Sequence, residues 1–273
     1  MKLSIITINL NNKVGLQKTV DSVITQTYKD FEWIIIDGGS IDGSVELIKE
    51  ISHHLNYWVS EPDNGIYNAM NKGIRVAHGE YFLFLNSGDY LYDDNVLMKV
   101  IPLLQGMDFY IGDELIDNTI VRSDVSTLTK TFQTLTTSSL THPSTFINQC
   151  IFSKYGLYRE DLECCSDWHI FYKAIIMGNA TIENFNFIIS VFDTNGISQT
   201  EVNASERKRL FLEIPNINHA VRFYYQNYDI VYALKEYRLI FFLFRVYYFF
   251  YRIWKTRKFV NHHAKSIGHS CYL

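Results

Sequence analysis

Residues 3–9 (LSIITIN) are an apolar, β-branched run, and from Val14 to Thr25 the apolar positions Val14, Leu16, Val20, Val23 and Ile24 recur at helical spacing. The pattern predicts a strand followed by a helix packed on it. Phe31 to Asp37 is again continuous and apolar, as a strand covered on both faces must be, and it stops at Asp-Gly-Gly-Ser. Asp42 and Ser44 are placed to cap a helix over Val45 to Ile51, and Tyr57 to Ser60 reads as a third strand. A helix from Ile66 to Ala77, closed by His78-Gly79, leads to a fourth strand at Tyr81 to Leu85. The βαβα alternation predicts an α/β fold, with right-handed crossovers laying these strands in one mostly parallel sheet.

The order loosens after Asp89. Asp108 to Asp113 and Ile182 to Val191 read as strands and Trp168 to Met177 as a helix, while the Thr/Ser-rich stretch Ser123 to Ser139 is expected to be a loop over the site or an excursion of the sheet. Asp193 to Ser198 is turn-rich, and helices are expected from Ala204 and from Asn218. The chain thus divides into residues 1–215, with halves 1–90 and 91–215, and a helical tail over 216–273.

In an open α/β sheet a ligand lies beyond the carboxyl ends of the strands, where helix N-termini and free backbone N–H groups converge. Those ends carry Thr7, Asn9 and Asn11; Asp37-Gly38-Gly39; Glu61-Pro-Asp63-Asn-Gly65; and Asn86-Ser-Gly-Asp89. Ordinary turn chemistry explains any one Asp-Gly pair. Four such ends together suit a nucleotide whose phosphates require a divalent cation.

With 273 residues, 47% hydrophobic and 20% charged, the chain has the profile of a packed globular protein. Charge changes the picture in one respect. From Leu234 onward there are eight Lys and Arg against one acid, which leaves 17 basic and 28 acidic residues in the first 233. An acidic body excludes a general nucleic-acid binder, whose affinity would rest on phosphate neutralisation. In the tail Arg238, Arg245 and Arg252 recur on one helical stripe, with Leu239, Ile240, Phe242, Leu243, Val246, Phe250, Ile253 and Trp254 over the remaining arc. The apolar run breaks at Arg245, too soon to span a bilayer. An interfacial helix on an anionic membrane surface is expected, a helix packed on the body or in a homodimer interface being the alternative. Four cysteines without metal-site spacing and an apolar N-terminal stretch too short for a signal segment point to a cytoplasmic protein, peripheral on the inner face of the membrane.

From Ser4 to Asp89, the motifs SIITINLNN, TVDSVITQTY, FEWIIIDGGSIDGS, SEPDNGIYNAMNKGI and GEYFLFLNSGD resemble the nucleotide-sugar-binding half of the inverting family 2 glycosyltransferases. Thr141-His-Pro-Ser-Thr-Phe146, Lys154-Tyr-Gly-Leu157, Ser166-Asp-Trp168 and Asn195-Gly-Ile-Ser198 continue the resemblance in the order seen in bacterial polysaccharide transferases of the colanic-acid type. It implies a GT-A fold, a Rossmann-like and mostly parallel sheet flanked by helices, with the tail as a C-terminal helical extension. It also implies a nucleotide-diphosphate-sugar donor, a UDP-sugar first, and a glycan or lipid-linked acceptor.

By the same resemblance Thr7, Asn9, Asp37, Gly38, Asp63, Gly65, Asn71 and Asn86 would form the nucleotide-sugar site, with Asp37 touching the nucleobase. The usual Asp-x-Asp metal motif is replaced by Asn86-Ser87-Gly88-Asp89. Asp89 is left to bind Mg²⁺ or Mn²⁺, with Asn86 supplying an amide oxygen or a ribose contact. Asp167 is implied as the general base, an N-cap role being the alternative, with His142 and Trp168 on the acceptor or phosphate side. Cys164 and Cys165 are read as packing residues. Two other readings compete. A catalytically silent binding protein would fit Gly38 and Gly88, and a nucleotidyltransferase would need a Gly-rich phosphate loop after strand one, where no glycine occurs before Gly15.

Overall fold

A computed structural model of the chain describes residues 1–137 and 139–194, together with 205–207, 209, 210 and 213. The chain divides into two compact units, Met1–Glu206 and Arg207–Leu273. The expected helix from Asn218, the amphipathic tail and the Asn195–Ser198 motif lie outside the described residues. Among the described residues no helix is long and apolar enough to cross a membrane.

Among the described residues nine strands form one sheet: β1 (Leu3–Asn9), β2 (Glu32–Asp37), β3 (Tyr57–Ser60), β4 (Tyr81–Phe84), β5 (Tyr90–Leu91), β6 (Phe109–Ile116), β7 (Thr119–Val121), β8 (Thr145–Asn148) and β9 (Ile182–Val191). The order is β3-β2-β1-β4-β8-β6-β9-β5, with β7 paired to β6. The block β3-β2-β1-β4 is parallel, as the βαβα pattern predicts. Beyond it β8 runs antiparallel to β4 and to β6, β9 runs parallel to β6, and β5 antiparallel to β9. Every residue of β1 and β2 is buried. Burial on both faces is what a continuous apolar strand with no alternation encodes.

The helices that frame the sheet include α1 (Lys13–Ile24), α2 (Ser44–Glu50), α3 (Ile66–Val76), α4 (Val96–Val100), α5 (Leu128–Thr137), α6 (Cys150–Tyr155) and α7 (Ser166–Phe171), the last continued by a π-helical stretch Tyr172–Met177. One core joins Leu16, Val20 and Val23 of α1 to Leu3 and Ile5 of β1 and Trp33 and Ile35 of β2. Helix α3 packs on the opposite face of the same strands, and Gly73 permits the approach. A Cβ at that position would stand 2.5 Å from Ile6 Cγ2. The close approach brings the N-terminus of α3 to the carboxyl edge of the sheet.

The Ser123–Ser139 stretch differs from expectation. The Thr/Ser-rich stretch contains α5, which begins after Thr127, whose Oγ1 accepts the backbone N–H of Lys130 at 3.2 Å. Thr127 is an N-cap of the usual kind, and burial of Thr131 and Leu135 supplies what local propensity lacks.

Candidate active site

A cleft of about 420 Å³ opens at the carboxyl ends of β1 and β4, lined among others by Asn9, Asn12, Asp63, Gly65, Tyr67 and Asn86. Asp89, His142, Cys164, Asp167 and Asp193 complete its polar wall. The sequence places its parts far apart, and the topology brings them together because β1 and β4 are neighbours and α7 follows the strand that lies beside β4.

At the floor of the cleft Asp89 is 4% exposed. Burial, with the charge of Asp193 added, pushes its carboxyl up to about 7, although the Asp193 backbone N–H donates to Oδ1 at 3.0 Å. Glu114 on β6 is also buried. Burial and the charge of Asp89 raise it to about 8, and its Oε1 has no hydrogen-bond partner, like Oδ1 of Asn9 and Oδ1 of Asn86. A buried carboxylate beside an unpartnered amide oxygen is a hard-oxygen donor set, and it fits Mg²⁺ or Mn²⁺. Gly88 turns the loop at φ +111°, and a side chain there would strike the Asp193 carboxylate, 2.7 Å from its Cβ. Thr19 of α1 holds the loop, accepting the Gly88 N–H at 3.1 Å and donating to the Asp89 carbonyl at 2.7 Å.

Gly65 begins α3 at φ +106°, and its N–H donates to Asp63 Oδ1 at 2.9 Å. The first N–H groups of this helix face the cleft region that Gly65 and Ile66 line, a setting that favours phosphate.

Asp167 is the second residue of α7 and half-buried. Cys165 occupies the N-cap position, and the Asp167 carboxylate accepts the Tyr67 hydroxyl at 2.8 Å. Asp167 is therefore not the N-cap of α7. The turn before it is clamped by Glu206, whose carboxylate accepts the backbone N–H groups of Glu163, Cys164 and Cys165. Cys164, Cys165 and Glu206 offer ligand atoms within 4.8 Å of one another, but these hydrogen bonds account for the carboxylate, and burial holds the Cys164 thiol far above its usual value. The pair packs, as expected. His142 stacks on Phe84 with ring centroids 5.0 Å apart and meets Tyr158 Oη through Nε2 at 3.0 Å. Burial pushes its pKa down, against the charge of Asp167, so it faces the cleft as a neutral imidazole.

Four of the expected site residues stand elsewhere. Thr7 is fully buried and accepts the Trp33 indole N–H at 3.1 Å. Asn71 is 1% exposed and pairs with the Tyr158 backbone on both its amide atoms. Trp168 is buried, its indole N–H donating to the Leu135 carbonyl at 2.7 Å. Asp37 is fully buried and accepts five hydrogen bonds, from Asn9, Ser60, the Gly39 N–H and both the N–H and hydroxyl of Ser40. Burial alone would raise its pKa, but these donors hold it below the usual carboxylate range. Each of the four organises the cleft from behind. Gly38 leaves the space that Asp63 fills, since a Cβ there would lie 2.5 Å from Asp63 Oδ2. Asn12, Tyr67, Glu114 and Asp193 were not singled out by sequence reasoning. Tyr67 sits inside a quoted motif and Asp193 opens the turn after β9, so both had a positional signal.

The model of the glycosyl transferase family 2 domain matches residues 4–159. The chain belongs to glycosyl transferase family 2. A protein described as an uncharacterized glycosyltransferase of Mycobacterium tuberculosis is 31% identical over 202 residues, which cover 71% of this chain and 76% of that one. Among solved structures, S. aureus TarS 1–349 in complex with UDP-GlcNAc superposes with a TM-score of 0.66 at 19% identity, covering 80% of this chain and 68% of that one. The mannosyltransferase PcManGT from Pyrobaculum calidifontis, in complex with GDP-Man and Mn²⁺, gives 0.58 at 16% identity, covering 78% and 63%. The fold of this glycosyltransferase is thus GT-A-like.

Proposed function

We propose that this glycosyltransferase is a metal-dependent, inverting hexosyltransferase that takes a UDP-sugar and transfers the sugar to a glycan or lipid-linked acceptor in bacterial surface polysaccharide synthesis. One observation carries the reading: Asp89, the N-terminus of α3 and Asp167 line the same cleft. The UDP-GlcNAc and GDP-Man of the two solved relatives and the Mn²⁺ of one support a nucleotide-sugar donor and a divalent cation.

In this reading Asp89 and the Asn86 amide oxygen hold Mg²⁺ or Mn²⁺, and Asp193 stands beside them. The cation supplies charge neutralisation for the diphosphate. Asp63, in the space over Gly38, faces the nucleoside, and the first N–H groups of α3 face phosphate. Asp167 takes the proton of the acceptor hydroxyl as its oxygen bonds to the anomeric carbon, while the bond from that carbon to the diphosphate oxygen breaks and the diphosphate departs with the electron pair. A single displacement of this kind inverts the anomeric centre. Neutral His142 serves as a hydrogen-bonding wall on the acceptor side. The basic tail favours a peripheral position on an anionic cytoplasmic membrane surface.

Thermal unfolding with UDP or GDP, each with and without Mn²⁺, tests the donor class. UDP should stabilise the protein in a Mn²⁺-dependent way. Asp167→Asn should keep that stabilisation while UDP release from UDP-GlcNAc and related UDP-sugars falls by about a hundred- to ten-thousandfold. Indifference to both nucleotides would refute the proposal.

A further inference from the structure

The base carboxylate does not stand alone. Tyr67 is the second residue of α3, on the donor half of the chain, and Asp167 the second residue of α7, a hundred positions later, yet the phenol hydroxyl donates to Asp167 Oδ1 at 2.8 Å. The Tyr67 ring is 4% exposed and packs on Tyr158 with centroids 5.5 Å apart. Tyr158 is itself fixed through its hydroxyl to His142 Nε2, and its ring lies edge-on to Phe84 and Phe152. The Tyr67 ring is therefore held in place by buried rings on the acceptor side of the cleft.

We propose that Tyr67 is a positioning residue: its hydroxyl fixes Oδ1 of Asp167 so that Oδ2 is presented to the acceptor hydroxyl. The inference rests on the reading of Asp167 as the base. Burial first, and then the negative charge of Asp167, hold the Tyr67 phenol well above its usual value, so it remains a donor at any working pH. A carboxylate two residues into a helix and half-exposed would otherwise sample several rotamers, only one of which meets the incoming hydroxyl. Because Tyr67 belongs to the helix whose first N–H groups face the donor phosphates, the hydrogen bond also registers the base against the donor.

The test uses full-length Mn²⁺-loaded protein and follows UDP release from UDP-GlcNAc. Tyr67→Phe should lower kcat by about tenfold or more and leave the KM for donor and the UDP affinity within about twofold, because the phenyl ring keeps its packing. In an Asp167→Asn background the same substitution should cost nothing further. Crystals of Tyr67→Phe with UDP and Mn²⁺ give a readout independent of turnover, and should show the Asp167 carboxylate rotated. An unmoved carboxylate, or wild-type kcat in Tyr67→Phe beside a large loss in Asp167→Asn, would overturn the positioning role alone. Undiminished UDP release in Asp167→Asn would instead overturn the base assignment and the inference with it.

Discussion

Asp37→Asn separates a nucleobase contact from a buried strut. The five donors on Asp37 lie at 2.6 to 3.1 Å, three of them on Oδ2, and the side chain has no exposed surface. Asparagine keeps the shape and can keep the Oδ2 partners, while its amide faces Asn9 and the Ser40 hydroxyl, which can turn to accept. What is lost is the charge on each bond. Hydrogen bonds to an ionised acceptor are worth about 1.5–3 kcal/mol against about 1 for neutral ones, so the substitution should cost about 3 kcal/mol. Urea unfolding at pH 7 should show that loss, with UDP affinity within about threefold of wild type. The penalty should also depend on pH. The folded pKa of Asp37 lies below its unfolded value of 3.8, so its contribution is complete above that value and is lost as pH falls through the folded one. The gap between wild type and variant should narrow in strong acid. Wild-type stability accompanied by a tenfold or greater loss of UDP affinity would refute the reasoning and restore Asp37 to the nucleobase.

Asp89→Ala should abolish Mn²⁺-dependent stabilisation by UDP, whereas Asp93→Ala, whose carboxylate is spent on exposed Lys99, should not; calorimetric titration decides. Glu114→Gln mimics the protonated acid. With its folded pKa near 8 against 4.5 unfolded, wild type in EDTA should lose stability relative to the variant as pH rises between those values, by up to about 5 kcal/mol, and parallel curves would count against it. Reversing Arg245 and Arg252 to Glu should release the protein from anionic liposomes at low salt; binding unchanged by the reversal would point away from a membrane surface.

The parallel half of the fold was legible because β1 and β2 are buried on both faces and α1 carries helical period and an Asn12 cap, so Leu3–Asn9 and Glu32–Asp37 read directly. Polarity after Asp89 was not legible, since an antiparallel β8 has no local signature distinguishing it from a parallel strand. The α5 helix was hidden by Thr-rich composition, whose weak propensity is overridden by burial of Thr131 and Leu135. At the site, position along the chain pointed to Asp89 and Asp167, which the fold brings to one cleft, but it could not tell cleft residues from their supports. Thr7, Asp37, Asn71 and Trp168 sit in matching motifs and point into protein, a distinction that exists only once the opposite strand or helix is in place. Asp193 and Glu114 escaped because their relation to Asp89 is set by the β6–β9 pairing.

Thr19 clasps the Asn86–Asp89 loop, and the clasp governs how such a loop can drift. Two hydrogen bonds to Thr19, about seventy residues earlier, set the path of Gly88 and Asp89. The loop's own side chains are thereby relieved of shaping it, so a carboxylate can give way to the amide of Asn86 and another to the bare backbone of Gly88 without the turn collapsing. Tolerance of this kind is directional. Substitutions inside the loop should alter cation preference by degrees, whereas loss of one hydroxyl in α1 should displace the whole turn at once, making a residue that touches no ligand the more sensitive inheritance.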